Sequence, residues 1–125
     1  LKLSYRFEDG WKFLRLTPPD KVAAQIEGAP TAFGIWLYGD GNQTGPRLRI
    51  SDVNQQTWQP SSDPVSWKGW RVVKCSFNEK TAHGGGPNDG AVKLPIHWDS
   101  FLVIDNASRH KLEGCVYVAA PVLIY

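Results

Sequence analysis

The sequence contains no methionine and only two cysteines, and each scarcity excludes something. Because the chain begins at Leu1 and contains no Met, we expect a processed product or a piece of a longer protein. Cys75 and Cys115 do not occur in a Cys-x-x-Cys spacing, so redox and zinc chemistry lose support. The two residues form either one disulfide or two small buried apolar side chains, and the sequence leaves both alternatives open.

An excess of charge of one sign and long apolar runs are also missing. The chain has 14 Lys+Arg against 12 Asp+Glu, a formal net charge of +2. A nucleic-acid-binding domain usually carries a clustered basic face instead. No apolar run reaches the roughly 18 residues of a membrane-spanning helix. We therefore expect neither nucleic acid nor membrane among the partners.

Tryptophan, glycine and proline are abundant, and they occur in a pattern typical of β-structure. Six Trp, twelve Gly and nine Pro accompany short alternating runs that are separated by turn residues. Strands are predicted at 2–7, 12–17, 31–38, 47–52, 56–59, 70–77, 100–105 and 115–125. The last should break at Pro121, because proline cannot donate to a central ladder. A helix is predicted only as one or two turns within 21–27.

This pattern predicts one all-β domain that spans residues 1–125. Short strands with irregular links are typical of a two-sheet antiparallel sandwich, here expected to be a jelly roll. No internal repeat is visible, and no linker divides the chain. The polar, glycine-rich segment 81–90 is expected to be a loop that is mobile, shaped for a ligand, or a solvated connection.

The segment 33–41 alternates apolar residues with two aromatic ones and then ends in Gly-Asp-Gly. Successive side chains of a strand lie on opposite faces. Phe33, Ile35 and Leu37 are therefore expected in the core. Trp36 and Tyr38 share the opposite face, where their partner is either another layer of the protein or a ligand.

Arg47 and Arg49 share the face of their own strand that lies opposite Leu48 and Ile50. If this strand neighbours the one that carries Trp36, the two arginines join the aromatic residues in one patch. Such a patch suits a sugar, because C–H groups stack on rings while hydroxyls bond to guanidinium groups. Arginine stems that merely cover Trp36 and stabilise the sheet are an equal alternative.

The other tryptophans receive different expectations. Trp58, in a Gln-rich run, and Trp67, just before a strand, are expected as secondary sugar contacts. A solvated hairpin around Trp58 and a cap of the sandwich by Trp67 are the alternatives. Trp70 follows Gly69 and is expected in the core, as buried aromatic residues usually are.

Two positions are considered for a structural calcium ion, and no metal site is assigned. The turn from Asp40 to Gly45 resembles the first half of a calcium loop, but its twelfth position is Ser51 instead of Glu. Tight turns explain its glycines without any metal. A second site would combine Glu8 or Asp9 with Asp105. The three histidines lack ligand spacing.

Five motifs occur in an order that resembles a known family. They are Gly34-Ile-Trp-Leu-Tyr-Gly-Asp-Gly41, Arg47-Leu-Arg-Ile-Ser-Asp52, Trp67-Lys-Gly-Trp-Arg-Val-Val73, Leu94-Pro-Ile96 and Gly114-Cys-Val-Tyr-Val118. The series resembles the galactose-binding-like β-sandwich modules that are attached to secreted glycoside-active enzymes. The resemblance covers the chain from about Tyr5 to Tyr125. One departure is Ala119-Ala120, where such modules commonly carry acids that bind calcium or line the site.

The resemblance implies a secreted or extracellular, monomeric and non-catalytic module that binds a polysaccharide or oligosaccharide. It also implies an attached catalytic domain, such as a glycoside hydrolase, which the module targets to its substrate. The residues themselves mark no pair of facing carboxylates, no Gly-x-Ser-x-Gly and no phosphate loop. The alternative is a structural sandwich that packs against the catalytic domain without binding sugar.

Overall fold

The computed structural model describes the backbone of residues 1–125 and every side chain except that of Val103. The strands are β1 (Lys2–Phe7), β2 (Phe13–Leu16), β3 (Gln25–Ile26), β4 (Ala32–Asp40), β5 (Arg47–Ser51), β6 (Thr57–Trp58), β7 (Lys68–Ser76), β8 (His83–Gly84), β9 (Ile96–Asp105) and β10 (Leu112–Ile124). Along the described backbone, no helix is long and apolar enough to cross a membrane.

The strands form two antiparallel sheets. Sheet A has the order β1-β10-β4-β7, and sheet B has the order β2-β9-β5-β6-β8, with β3 paired to β9. The predicted all-β class is therefore confirmed, in a sandwich-like architecture. Because β4 and β5 lie in different sheets, the chain crosses between the layers after Asp40.

The core fills the space between the sheets, and alternation explains its composition. Phe33, Ile35 and Leu37 point inward from β4, as predicted, and Leu48 and Ile50 do so from β5. Leu37, Leu48 and Ile50 have no solvent exposure. Burying one such aliphatic side chain stabilises the fold by roughly 1.5–3 kcal/mol. The opposite faces of the same strands are left for solvent or for a partner.

Two segments differ from the sequence-based expectation. The predicted helix within 21–27 is wrong. Residues 21–24 form only a turn, and Gln25 and Ile26 form β3, which pairs with β9 and buries Ile26. The segment 81–90 packs against the domain through β8, which pairs with β6. Buried Gln56 anchors it further by donating to the Asp89 carboxylate and accepting from the Gly90 N–H, at 3.0 and 2.9 Å.

The last strand is interrupted where proline predicted a break. The pairing of β10 with β4 shifts register between Ala119 and Val122, and Ala120 has a φ of 42°. The shift accommodates Pro121, which has no N–H to donate. Both parts of β10 still pair with β4, so the strand continues along the whole sheet.

Both cysteines are free thiols, so the disulfide alternative is not realised. Burial raises the pKa of Cys75 to about 11, whereas Cys115 is half-buried. Because the thiolate is the reactive form, we expect a thiol reagent at pH 8 to label Cys115 at least about tenfold faster than Cys75. Labelling of Cys75→Ser and Cys115→Ser variants measures each rate. Equal rates in the folded protein would contradict the burial of Cys75.

Candidate functional site

The outer face of sheet A carries four large aromatic side chains that are open to solvent. They are Trp36 and Tyr38 on β4, Trp70 on β7 and Tyr117 on β10, and we call them the aromatic platform. Their exposed fractions are 43, 41, 50 and 40%, respectively. Core aromatic residues are far less exposed, as Phe33 at 3% shows. The exposure of Trp36 and Tyr38 on one non-core face is thus confirmed.

Three rings of the platform form a row across the sheet. Tyr38 pairs directly with Tyr117 on one side and with Trp70 on the other. The ring plane of Tyr38 is nearly perpendicular to both, with centroid distances of 5.9 Å to Tyr117 and 5.6 Å to Trp70. Edge-to-face contacts of this kind are favourable and restrict ring motion. The row therefore has a spacing that the strand ladder sets.

Trp36 lies one step along β4 from this row and has small or aliphatic neighbours. Its direct cross-strand partners are Val72 on β7 and Ala119 on β10. The next outward position on β4 is Gly34, where an added Cβ would lie 2.8 Å from Val122 Cγ2. Because these neighbouring side chains are short, the indole of Trp36 is accessible to solvent.

One end of the platform is held by a polar network that joins β1, β4 and β10. The Tyr5 hydroxyl donates to Asp40 Oδ2 at 2.6 Å, and the Cys115 N–H donates to the same oxygen at 3.2 Å. Asn42 Nδ2 donates to the Tyr5 oxygen at 2.7 Å. Burial, reinforced by the hydrogen bond to Asp40, raises the pKa of Tyr5 well above its ordinary value. The phenol stays protonated and keeps donating to Asp40 at neutral pH.

Arg47 and Arg49 do not join the platform. They lie on β5 in sheet B, whereas β4 neighbours β10 and β7 in sheet A. Arg47 Nη2 forms an ion pair with Asp105 Oδ2 at 2.8 Å, and Arg49 Nε lies 3.1 Å from Asp99 Oδ2. The condition that β4 and β5 be neighbours is not met, because the chain changes sheets between them. The arginines are engaged with carboxylates of sheet B.

Three tryptophans lie differently from their expected places. Trp58, expected as a sugar contact, is 2% exposed and packs edge-on against Phe77 in the core. Trp67 is half-buried beneath the Arg71 guanidinium, 5.3 Å from its ring centroid, which is closer to a cap of the sandwich than to an open contact. Trp70, expected in the core, is half exposed, since the odd-numbered Val73 and Cys75 occupy the inner face of β7.

The two positions considered for calcium hold carboxylates that already have partners. Asp40 accepts hydrogen bonds from several side-chain and backbone donors, whose hydrogens would point at a cation. Asp105 is buried against Arg47, and its pKa is raised by burial and lowered by Arg47 and Arg109. No group of three or more His, Cys, Asp or Glu suited to a metal occurs among the described residues. Calcium at either position stays a sequence-based prediction.

An apolar cavity lies elsewhere, at the end of the core near β10. It measures about 480 Å³ and is lined almost wholly by apolar side chains, among them Leu1, Ile35 and Phe101. A sugar needs several hydrogen-bonding groups beside an aromatic surface. Among the described lining residues, only the Thr17 hydroxyl and the Trp98 indole N–H are polar side-chain groups, so this cavity offers a sugar few hydrogen bonds.

Sequence reasoning missed Trp70 and Tyr117 as members of the platform. The signal for Tyr117 was present, because Val116 and Val118 alternate with it and are buried. The signal for Trp70 was its even position in a strand whose odd positions point inward. In both cases, the alternation of inward and outward side chains along the strand predicts the exposed position, once it is known which residues of that strand point into the core.

Comparison with protein-family models, with curated proteins and with solved structures finds no match to this chain. The feature that stands out is the exposed aromatic row on the outer face of sheet A, opposite the core between the sheets.

Proposed function

We propose that the chain is a non-catalytic carbohydrate-binding module that holds an attached enzyme near its polysaccharide substrate. The observation that carries the proposal is the row of Tyr117, Tyr38 and Trp70 in direct register, with Trp36 beside it. We further propose that the sandwich is a jelly roll of the galactose-binding-like type. It would act as a monomer, secreted with a glycoside hydrolase or a related enzyme.

The chemistry of stacking supports this assignment. A pyranose presents a face of C–H groups that packs flat on an aromatic ring, while its hydroxyls remain hydrated at the rim. Neighbouring strands lie about 4.8 Å apart, which is close to the length of one sugar unit in an extended glycan. An extended chain laid across the sheet would therefore pass one ring at each strand, and it would lie flat on some rings and touch the edges of others, because neighbouring rings are nearly perpendicular.

The proposal of a binding role rather than a catalytic one rests on the acids around the platform. Glycosidases need two carboxylates that face each other across a cleft. Glu113 lies opposite Arg6 on the outer face of sheet A, whereas the Asp40 carboxylate, at the end of β4, is bonded to the buried Tyr5. No two carboxylates face each other over the rings among the side chains that the structure describes.

A titration of the domain against soluble glucans, mannans, xylans and polyuronates tests the proposal. We expect a saturable change in tryptophan fluorescence with at least one of these polymers, since Trp36 and Trp70 would leave water on binding. Binding of one module should be weak, because each stacking contact adds only about 1 kcal/mol beyond area burial. Silence across the whole panel, confirmed by calorimetry, would refute sugar binding. Release of reducing sugar by the pure domain would revive an enzymatic role.

A second candidate is a structural sandwich that docks on a catalytic domain through the same face. Val72 and Val122, exposed by 46 and 39%, extend the platform into a larger apolar patch. Exposed patches of this kind often mark protein interfaces. A silent glycan panel together with binding to the separately produced catalytic domain would favour this candidate.

A further inference from the structure

We infer that the polysaccharide bound by the platform is anionic, with carboxylate or sulfate groups on its sugar units. The inference rests on the proposed function and concerns the chemistry of its ligand. Three lysines, Lys2, Lys68 and Lys74, surround the platform on the outer face of sheet A. All three are exposed residues.

Lys2 extends the aromatic row by one strand. It pairs directly with Tyr117, so the order across sheet A is Lys2, Tyr117, Tyr38 and Trp70. A glycan laid along the row would therefore pass from three rings to one ammonium group. A lysine ammonium is a strongly hydrated point charge, which suits an anionic group better than a neutral hydroxyl.

Lys68 and Lys74 frame the other side of the platform. Outward positions of β7 read Lys68, Trp70, Val72 and Lys74, so that the cations flank the exposed indole and valine. The lysine ion pairs among the described residues involve Lys93 and Lys111 but none of the three platform lysines. Their charges are thus available to a ligand.

Acidic groups near the platform lie at its margins. Asp40 is opposite Lys68 in the ladder, but its carboxylate is already bonded to the Tyr5 hydroxyl. Glu113 lies opposite Arg6 in the ladder near the start of β10, and Asp63 lines a cavity beside β7 together with Lys74. The rings themselves are bordered by the lysines, whose charge would attract an anionic chain at low ionic strength.

Edge protection and nucleic-acid binding are two further roles that lysines at these positions can serve. β1 and β7 are the edge strands of sheet A, and lysines on edge strands discourage pairing between molecules. Lysines that only protect the edges would give the domain no preference for charged over neutral glycans. A single-stranded nucleic acid would also use rings and cations, but it favours a positively charged groove, whereas this face is a sheet with three lysines.

The test compares polygalacturonate with its fully methyl-esterified form, which has the same backbone without the charge, and dextran sulfate with dextran. Binding is measured for wild type and for the triple variant Lys2→Gln, Lys68→Gln and Lys74→Gln. The matched control replaces Lys12, Lys21 and Lys80 by glutamine, since these are exposed and lie outside sheet A. Both variants lose three positive charges, and thermal unfolding verifies that each remains folded.

We expect wild type to prefer the charged member of at least one pair, and the platform triple variant to lose about tenfold in affinity for it. The control variant should lose less than about threefold. The preference should weaken when the salt concentration is raised. A preference within the polygalacturonate pair identifies carboxylate as the anionic group, and a preference within the dextran pair identifies sulfate.

Equal affinity for charged and neutral members, unchanged in the triple variant, would overturn the inference and leave the proposed function intact. Tighter binding of a single-stranded oligonucleotide than of any polysaccharide would overturn it as well. A wild-type domain that binds neither member of either pair nor any neutral glycan would instead overturn the proposed function.

Discussion

Replacement of Trp58 by alanine is expected to lower the free energy of unfolding by about 3–5 kcal/mol. Trp58 is 2% exposed and belongs to the core cluster between the sheets. Its ring packs edge-on against Phe77 at a centroid distance of 5.9 Å. Truncation removes these contacts and leaves a cavity that the surrounding strands fill only in part. Urea denaturation at about 25 °C, followed by circular dichroism, measures the loss.

Trp11 provides the matched control for this experiment. It is 47% exposed and contacts the Arg109 guanidinium at 4.6 Å from its ring centroid. Trp11→Ala should therefore cost less than about 1 kcal/mol. If Trp58→Ala is too unstable to purify, Trp58→Phe gives a measurable intermediate loss. Equal, small losses for Trp58→Ala and Trp11→Ala would contradict the placement of Trp58 in the core.

Joint replacement of Trp36 and Trp70 by alanine should weaken binding of a responsive glycan by about 30- to 150-fold. This range corresponds to the loss of two stacking contacts, at about 1–1.5 kcal/mol each. Both indoles are exposed on the outer face of sheet A, by 43 and 50%. Isothermal titration calorimetry with the polymer that responds in the panel measures the change.

The same variant separates binding from stability. Exposed side chains contribute little to the core, so each substitution should change the free energy of unfolding by less than about 1 kcal/mol. Trp11→Ala again serves as a control, because it removes an exposed indole outside the platform and should leave affinity unchanged. Unaltered affinity of the Trp36 and Trp70 variant would place the sugar elsewhere on the molecule.

Local alternation predicted much of the fold. β1 has the predicted bounds, and β4 places Phe33, Ile35 and Leu37 inward and Trp36 and Tyr38 outward, as expected. These results depend on the period of a strand, which each segment carries in its own residues. The break in β10 near its proline was equally local, since it follows from the missing N–H of that residue.

The candidate site was only half predictable, because it depends on which strands become neighbours. Arg47 and Arg49 have the expected alternation, yet they lie in the other sheet. Periodicity shows which residues share a face of one strand, but the pairing of strands is decided by contacts between distant segments. The same limit explains Tyr117, whose pairing with Tyr38 joins residues far apart in the chain.

The short strands β3 and β8 escaped prediction for a related reason, whereas β6 lies within the predicted strand 56–59. The pairing of β8 with β6 is supported by Gln56, which is buried and bonded to Asp89 and Gly90. A glutamine in a polar run gives no local sign that it will become the anchor of a distant loop. Trp58 was misplaced with it, because its polar neighbours suggested a sugar contact or, as the alternative, a solvated hairpin.

The register that aligns Tyr117, Tyr38 and Trp70 also restricts how this surface can evolve. A point mutation deletes or adds one ring but cannot change the distance between rings, which the backbone ladder fixes. An insertion or deletion of one residue inside β4 would reverse the faces of every position beyond it. Such a change would turn aromatic side chains into the interior unless a β-bulge absorbed the extra residue, as one does in β10 between Ala119 and Val122.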